Sequence, residues 1–248
     1  MQKDLFSAHA ASYAKFRPSY PKPLIKDICE HASGRSQALD VGAGSGQVAE
    51  LLADHFETVY GIDISTQQLA QSTEQPNVHY RVSSAERTPF ASSSFDLVTA
   101  AQAYHWFDEA AFWQEVERIA KPGAVIGIWG YQLLRIDDKV DCIIDELYGA
   151  TLGSKYWGPE RRKVDEGYRF IQFQAEEITF PNHSMTWYWT KDDLLGYIAT
   201  WSAVQKYLRE THKDPMEPLR AYLHSHWGSA ERRQVRFPIF GRLGRIKQ

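Results

Sequence analysis

Cysteine is scarce in this chain: only Cys29 and Cys142 occur in 248 residues, far apart and outside any Cys-x-x-Cys or Cys/His grouping. A disulfide framework and a structural zinc site are therefore not expected, and no metal site is assigned. No apolar run approaches the roughly 18 residues of a membrane-spanning helix. The stretch from Met1 to Tyr13 contains Asp4 and lacks an apolar centre, so it does not read as a secretory leader. The expected location is the cytoplasm, with no membrane partner. Neither charge sign dominates, because 28 Lys and Arg stand against 31 Asp and Glu. That balance gives no reason to expect a nucleic-acid partner, which would need clustered cations. The locally basic stretch from Arg232 to Lys247 interleaves its charges with Val235, Phe237, Ile239 and Phe240. It reads as a strand with one solvated face.

What is present is a βα rhythm rich in aromatics, eight tryptophans among them. Arg17-Pro18-Ser19-Tyr20-Pro21-Lys22-Pro23 cannot be continuous helix, since each proline removes a donor and restricts its predecessor. Ala38–Val41 reads as a first strand, followed by a helix carrying Val48, Leu51 and Leu52 on one face. Strands are expected over 58–62, 78–82, 95–100 and 124–129. Ser65 and Asp108 are expected as helix caps, and Lys121-Pro122-Gly123 as a helix stop. Beyond 130 the pattern predicts a helix over 137–147, a sixth strand over 176–180, a long helix from Thr190 through Leu208, and a closing strand over 234–240. Strands alternating with helices predict an α/β fold: a doubly wound, Rossmann-like, mostly parallel sheet of seven strands with helical lid insertions.

The strongest local signal is Leu39-Asp40-Val41-Gly42-Ala43-Gly44-Ser45-Gly46. A glycine-rich turn between a first strand and its helix lets a ligand reach bare backbone at the helix N-terminus. Its spacing departs from Gly-x-Gly-x-x-Gly, because the third glycine comes one residue early. Asp63 ends the second strand, where a carboxylate can accept from both hydroxyls of a ribose. Those two features point to an adenosine ligand without choosing between a nicotinamide dinucleotide and S-adenosylmethionine.

Ser84-Ala85-Glu86, Thr88-Pro89-Phe90, Ser94-Phe95-Asp96-Leu97-Val98 and Lys121-Pro122-Gly123 follow in order. Together they resemble the successive motifs of class I S-adenosylmethionine-dependent methyltransferases, over Ala38 to Trp129. Phe6–Tyr13 with Arg17–Pro21, Ala101–Phe107, and Thr200–Val204 further resemble the trans-aconitate methyltransferase-like small-molecule group. The resemblance implies one domain: a cover segment over 1–23, a cofactor-binding core over 36–130, a mostly helical substrate lid over 131–230 and a closing strand over 231–248. It implies S-adenosyl-L-methionine as cofactor, held among Asp40, Gly42, Gly44, Gly46, Asp63, Ser84, Ala85, Glu86 and Gln102, with Tyr13 and Arg17 closing over it. Glu86 or the Ala85 backbone would address the adenine. Gly42 and Gly44 would address the methionine part, and Arg17 its carboxylate.

Methyl transfer from a sulfonium is an in-line displacement, so alignment in a dry pocket is the main requirement. His105 is the candidate catalytic residue, since it follows the fourth strand and an imidazole titrates near neutrality. Tyr104, Trp106 and Trp201 are candidate substrate contacts. The reading is a small-molecule methyltransferase, with O-methylation of a carboxylic acid as one reaction, acting as a monomer or homodimer. The alternatives are a tRNA or protein methyltransferase and a non-catalytic adenosylmethionine-binding module.

Overall fold

In the computed structural model, the described residues are 19–228 and 231–247. Nine elements build the first half: α1 (Lys22–Glu30), β1 (Gln37–Val41), α2 (Gln47–Leu52), β2 (Thr58–Asp63), α3 (Thr66–Leu69), β3 (Val78–Val82), β4 (Phe95–Ala101), α4 (Glu109–Ile119) and β5 (Ala120–Tyr131). A 3₁₀ turn over Tyr104–Trp106 separates β4 from α4. After β5 come α5 (Asp138–Asp145), a π-helical turn (Glu146–Leu152), α6 (Gly153–Tyr156) and α7 (Arg161–Asp165). The remainder is β6 (Glu176–Ile178), β7 (Ser184–Trp189), α8 (Lys191–Ala199), α9 (Ser202–Thr211), α10 (Glu217–His226) and β8 (Arg233–Arg245).

The strand order is β3-β2-β1-β4-β5-β8-β6, with β1 to β5 mutually parallel and β8 antiparallel to β5. Apolar residues are buried on both sheet faces, as a doubly wound architecture requires. The order reverses between β1 and β4, so a crevice opens at their carboxyl ends, where such sheets bind ligands. Both expected caps are present: the Ser65 side chain accepts from Gln68 N and the Asp108 side chain from Ala111 N.

Four expectations need correction. The helix begun at Thr190 opens on a capping box with Asp193, but it breaks at Thr200–Trp201 instead of running to Leu208. Trp201 is extended (φ −63°, ψ 131°), while Thr200 Oγ1 donates to Tyr197 O at 2.6 Å and Gln205 Nε2 to Ala199 O at 2.8 Å. The Gln205 bond satisfies the Ala199 carbonyl that the break leaves open, and the Thr200 hydroxyl adds to the Thr200 N bond already made to Tyr197 O. The helix expected to end at 147 continues as a π-helical turn to Leu152. Lys121-Pro122-Gly123 does not precede β5 but lies inside it, beside a register shift opposite Phe95–Leu97. The aromatic run at 184–189 is the unforeseen strand β7, paired to the first half of β8. That pairing is why β8 is 13 residues long instead of seven: its second half serves β5 and its first half serves β7.

Asp96, from the fourth-strand motif, and Lys121 meet at the amino-terminal ends of the central strands, away from the crevice. One Asp96 oxygen accepts from Ser36 N (3.1 Å), Ser36 Oγ (2.6 Å) and Gln37 N (2.9 Å), and Lys121 Nζ lies 2.9 Å from both oxygens. Burial alone would raise this carboxyl; the Ser36, Gln37 and Lys121 contacts outweigh it and hold Asp96 below the usual carboxylate range.

Candidate active site

The crevice is built first by backbone. Gly42 stands at φ +71°, and a Cβ there would lie 2.5 Å from the Ala103 Cβ, so side chains are excluded by both conformation and space. The β1 turn thus packs directly on the chain leaving β4. Gly42 N and Ala43 N donate to Ile62 O, which ties the turn to β2. Gly44 N donates to Asp63 Oδ2 at 2.9 Å, and Ser65 N donates to Asp63 Oδ1 at 2.8 Å. One carboxylate therefore holds the glycine turn and the start of α3 in register.

A cavity of about 210 Å³ extends from this turn. Its floor is the β1 turn with Asp40 and Asp63; its far wall carries His105, Trp106, Trp157 and Trp201. The strand register sets Asp40 beside Thr99 of β4, and Thr99 Oγ1 donates to Asp40 Oδ1 at 3.0 Å. Burial dominates over this bond and pushes the Asp40 carboxyl up to about 7, with the Asp63 charge adding to the rise.

Gln102 sits at φ +53°, a left-handed conformation uncommon for a residue with a Cβ. It is held there by its own groups: Gln102 N donates to Trp129 O at 2.7 Å and its Oε1 accepts from Tyr131 N at 3.0 Å. This kink turns the chain after β4 across the cavity and delivers His105 to its wall. His105 is buried, with Nδ1 2.9 Å from Tyr168 Oη. Tyr168 is fully buried and its phenol is pushed up by that burial, so it stays a protonated hydroxyl. If it donates to Nδ1, the imidazole proton sits on Nε2; if it accepts, Nε2 is the basic nitrogen.

Of the residues expected from sequence, Asp40, Gly42, Gly44, Asp63, Ala85, Gln102, His105, Trp106 and Trp201 line this cavity. Gly46, Ser84, Glu86 and Tyr104 lie outside its wall. Gly46 instead makes room for Tyr80, whose Oη would lie 2.2 Å from a Cβ at φ +87°. Ser84 bridges to Arg87 within a turn, and its neighbour Ser83 faces the cavity. Glu86 accepts from Asp108 N at 3.2 Å, at the start of α4. Tyr104 is core: its Oη donates to Glu109 Oε2 and accepts from Trp113 Nε1. Tyr13 and Arg17 fall outside the described residues. The wall also contains Tyr20, Gln68, Trp157, Arg161 and Tyr197, which sequence reasoning did not single out.

The methyltransferase-domain family model matches residues 39–128, the stretch from β1 into β5. A Dictyostelium discoideum protein provisionally named a methyltransferase is 33% identical over 244 residues, covering 96% of this chain and 93% of that protein. A Saccharomyces cerevisiae protein, provisionally named an S-adenosylmethionine-dependent methyltransferase, is 29% identical over 140 residues, 53% of this chain and 47% of the relative. The solved structure of a provisionally assigned type II methyltransferase from Anaeromyxobacter dehalogenans superposes with a TM-score of 0.86 at 41% identity, covering 94% of this chain and all of that one. The fold and its crevice define a class I methyltransferase. This chain belongs to the S-adenosylmethionine-dependent methyltransferase family, and S-adenosylmethionine is its cofactor.

The residues present fit that cofactor. The glycine turn is a cradle that any Cβ at Gly42 would fill. Gln68 lines the cavity with a buried Oε1 that meets no hydrogen-bond donor among the described residues, an acceptor that a ligand donor would satisfy. Asp63, Gln68 and Asp40 would hold the polar groups of the adenosine and methionine parts.

Asp40 is expected to give the site a pH dependence. A cationic ammonium bound beside it would favour the ionised carboxylate, so S-adenosylhomocysteine affinity is expected to rise with pH through about 7. Asp40→Asn should flatten this dependence. Dissociation constants by calorimetry, on either side of neutrality, check it; equal slopes for wild type and variant would contradict the assignment.

No helix among the described residues is long and apolar enough to cross a membrane.

Proposed function

We propose that this protein transfers the methyl group to a small molecule, with a carboxylate oxygen as acceptor, in the manner of the trans-aconitate methyltransferase-like group. The observation that carries the reading is the shape and chemistry of the cavity: about 210 Å³, continuous with the glycine turn and walled by Trp106, Trp157 and Trp201. A pocket of that size with aromatic walls suits a small organic acceptor. Among the described residues of its wall, Arg161 is the single Lys or Arg. A nucleic-acid substrate would need several cations along a phosphate path. We take residues 131–230 as the acceptor-covering region and the cytoplasm as its place of action, as a monomer or homodimer.

The cofactor supplies an electrophilic methyl on a sulfonium, already a good leaving group. A carboxylate acceptor has no proton to lose, so the protein must orient it and exclude water. His105 is assigned the orienting role, its tautomer set by Tyr168 Oη at 2.9 Å. His105→Ala is expected to lower kcat by roughly 10- to 100-fold through lost alignment, with S-adenosylhomocysteine affinity unchanged. Unchanged turnover would remove His105 from the reaction.

The test of the whole reading is incubation with methyl-labelled S-adenosylmethionine and separate pools of small carboxylic acids, bulk tRNA and protein. Label in a base-labile ester of a small acid is expected. Label entering tRNA or protein, with none in the acids, would replace the proposal.

A further inference from the structure

We infer that Arg161 is an anion anchor for the methyl acceptor, and that the acceptor therefore carries an anionic oxygen group held at this end of the cavity. The inference rests on the small-molecule reading above. It concerns a residue that no glycine-turn motif brings in.

Arg161 opens α7 and contributes to the cavity wall, with its side chain 21% exposed. Three neighbours hold the guanidinium in one orientation. Its Cζ lies 4.9 Å from the Trp157 ring centroid and 5.4 Å from that of Tyr148, so the cation rests against two aromatic rings. Its Nε donates to Tyr148 Oη at 2.8 Å and to Asp165 Oδ1 at 3.2 Å. Those rings are themselves fixed: Trp157 Nε1 donates to Tyr148 O at 3.1 Å, and Trp201 packs on both.

This arrangement uses one edge of the guanidinium and leaves the other. Among the described residues, Nη1 and Nη2 donate to no partner. Nη1 and Nη2 carry four of the five N–H donors of an arginine, and their planar fork matches a carboxylate or phosphate oxygen pair. The adjacent Arg162 shows the contrast, since it is 80% exposed and paired to Glu166. Two acids bear on the site. Asp165 holds the Nε edge and is half exposed, shared with the Tyr148 hydroxyl at 2.5 Å. Glu160 also lines the cavity and opposes an anion there, which makes Glu160→Gln a variant expected to tighten anion binding. An arginine with its orientation already fixed loses little further freedom on gripping a ligand, which favours binding over a merely structural role.

The experiment uses the full-length protein saturated with S-adenosylhomocysteine and follows Trp fluorescence, to which Trp157 and Trp201 contribute. The probes are phenylacetate, phenyl phosphate and the neutral phenylacetamide. Saturable binding of an anionic probe, with the amide at least about tenfold weaker, is expected. Whichever anion binds more tightly distinguishes a carboxylate from a phosphate ligand. Arg161→Met should weaken the anion at least about tenfold and leave the amide unchanged, whereas Arg161→Lys should recover part of the loss. Affinity for S-adenosylhomocysteine and the melting temperature verify that each variant is folded. No saturable anion binding, equal affinity for the amide, or undiminished anion binding in Arg161→Met with the Lys variant agreeing would each overturn the anchor. Failure of the wild type to bind S-adenosylhomocysteine would instead overturn the methyltransferase reading, and the anchor with it.

Discussion

Asp63→Ala is expected to weaken S-adenosylhomocysteine binding by about 100-fold, because one carboxylate does two tasks. It accepts from Gly44 N and Ser65 N, and so fixes the glycine turn relative to α3. The same carboxylate would accept from ligand hydroxyls. Removing it leaves two backbone donors to find water and takes away the ligand contact; a charge-assisted hydrogen bond alone is worth about 1.5–3 kcal/mol. Asp63→Asn keeps the shape but turns an N–H₂ group toward one of two backbone donors, so it should recover only part of the affinity. Calorimetry of the three proteins decides the matter. An Ala variant within about threefold of wild type would show that the turn and the ligand do without this acid.

Asp96→Ala should cost about 1.5–3 kcal/mol of folding free energy, the range for hydrogen bonds to a charged group, because Lys121 remains partly solvated. In a chain of this size that corresponds to a melting temperature lower by roughly 3–12 °C. Asp96 is 7% exposed and binds Ser36, Gln37 and Lys121 together, so its loss leaves a half-buried ammonium and three donors of Ser36 and Gln37 unmet. The sign with pH follows from the depressed carboxyl. Its stabilisation is fully present above the ordinary carboxylate range and disappears as pH falls through the lower folded value. The gap in melting temperature between wild type and Asp96→Asn should therefore narrow as the medium is acidified from neutrality. A gap that widens would contradict the assignment. Because this cluster lies away from the crevice, folded variant should bind S-adenosylhomocysteine normally.

Local chemistry explains which parts of the site could be read from the sequence. The glycine turn was legible because positive φ and close backbone approach restrict residue choice to glycine, and Asp63 because a strand end followed by a Ser cap fixes its place. The parallel core was legible because buried stretches such as 124–129 of β5 are apolar throughout. Tyr104 was misplaced for a physical reason: an aromatic-rich segment looks alike whether it faces ligand or core. The 3₁₀ turn over Tyr104–Trp106 sends Tyr104 inward to Glu109 and Trp113 while His105 and Trp106 reach the cavity. The break at Thr200–Trp201 rests on bonds to Tyr197 and Ala199 that no helical periodicity reports. Strand β7 depends on pairing with β8 some fifty residues later, a non-local contact. Arg161 lies in a polar run, 158–168, where nothing local separates it from Arg162. Trp157, whose ring the guanidinium meets, is extended and outside α7, with Pro159 between the two, so no helical periodicity reports the pairing.

The central claim is that the crevice at the β1–β4 switch binds S-adenosylmethionine and its product. Calorimetric titration of the purified protein with S-adenosylhomocysteine, with NADH as the control, tests it most directly. One-site binding of S-adenosylhomocysteine, weakened about 100-fold in Asp63→Ala and absent for NADH, is the predicted result. Binding of NADH by the folded protein, with no heat from S-adenosylhomocysteine, would contradict it.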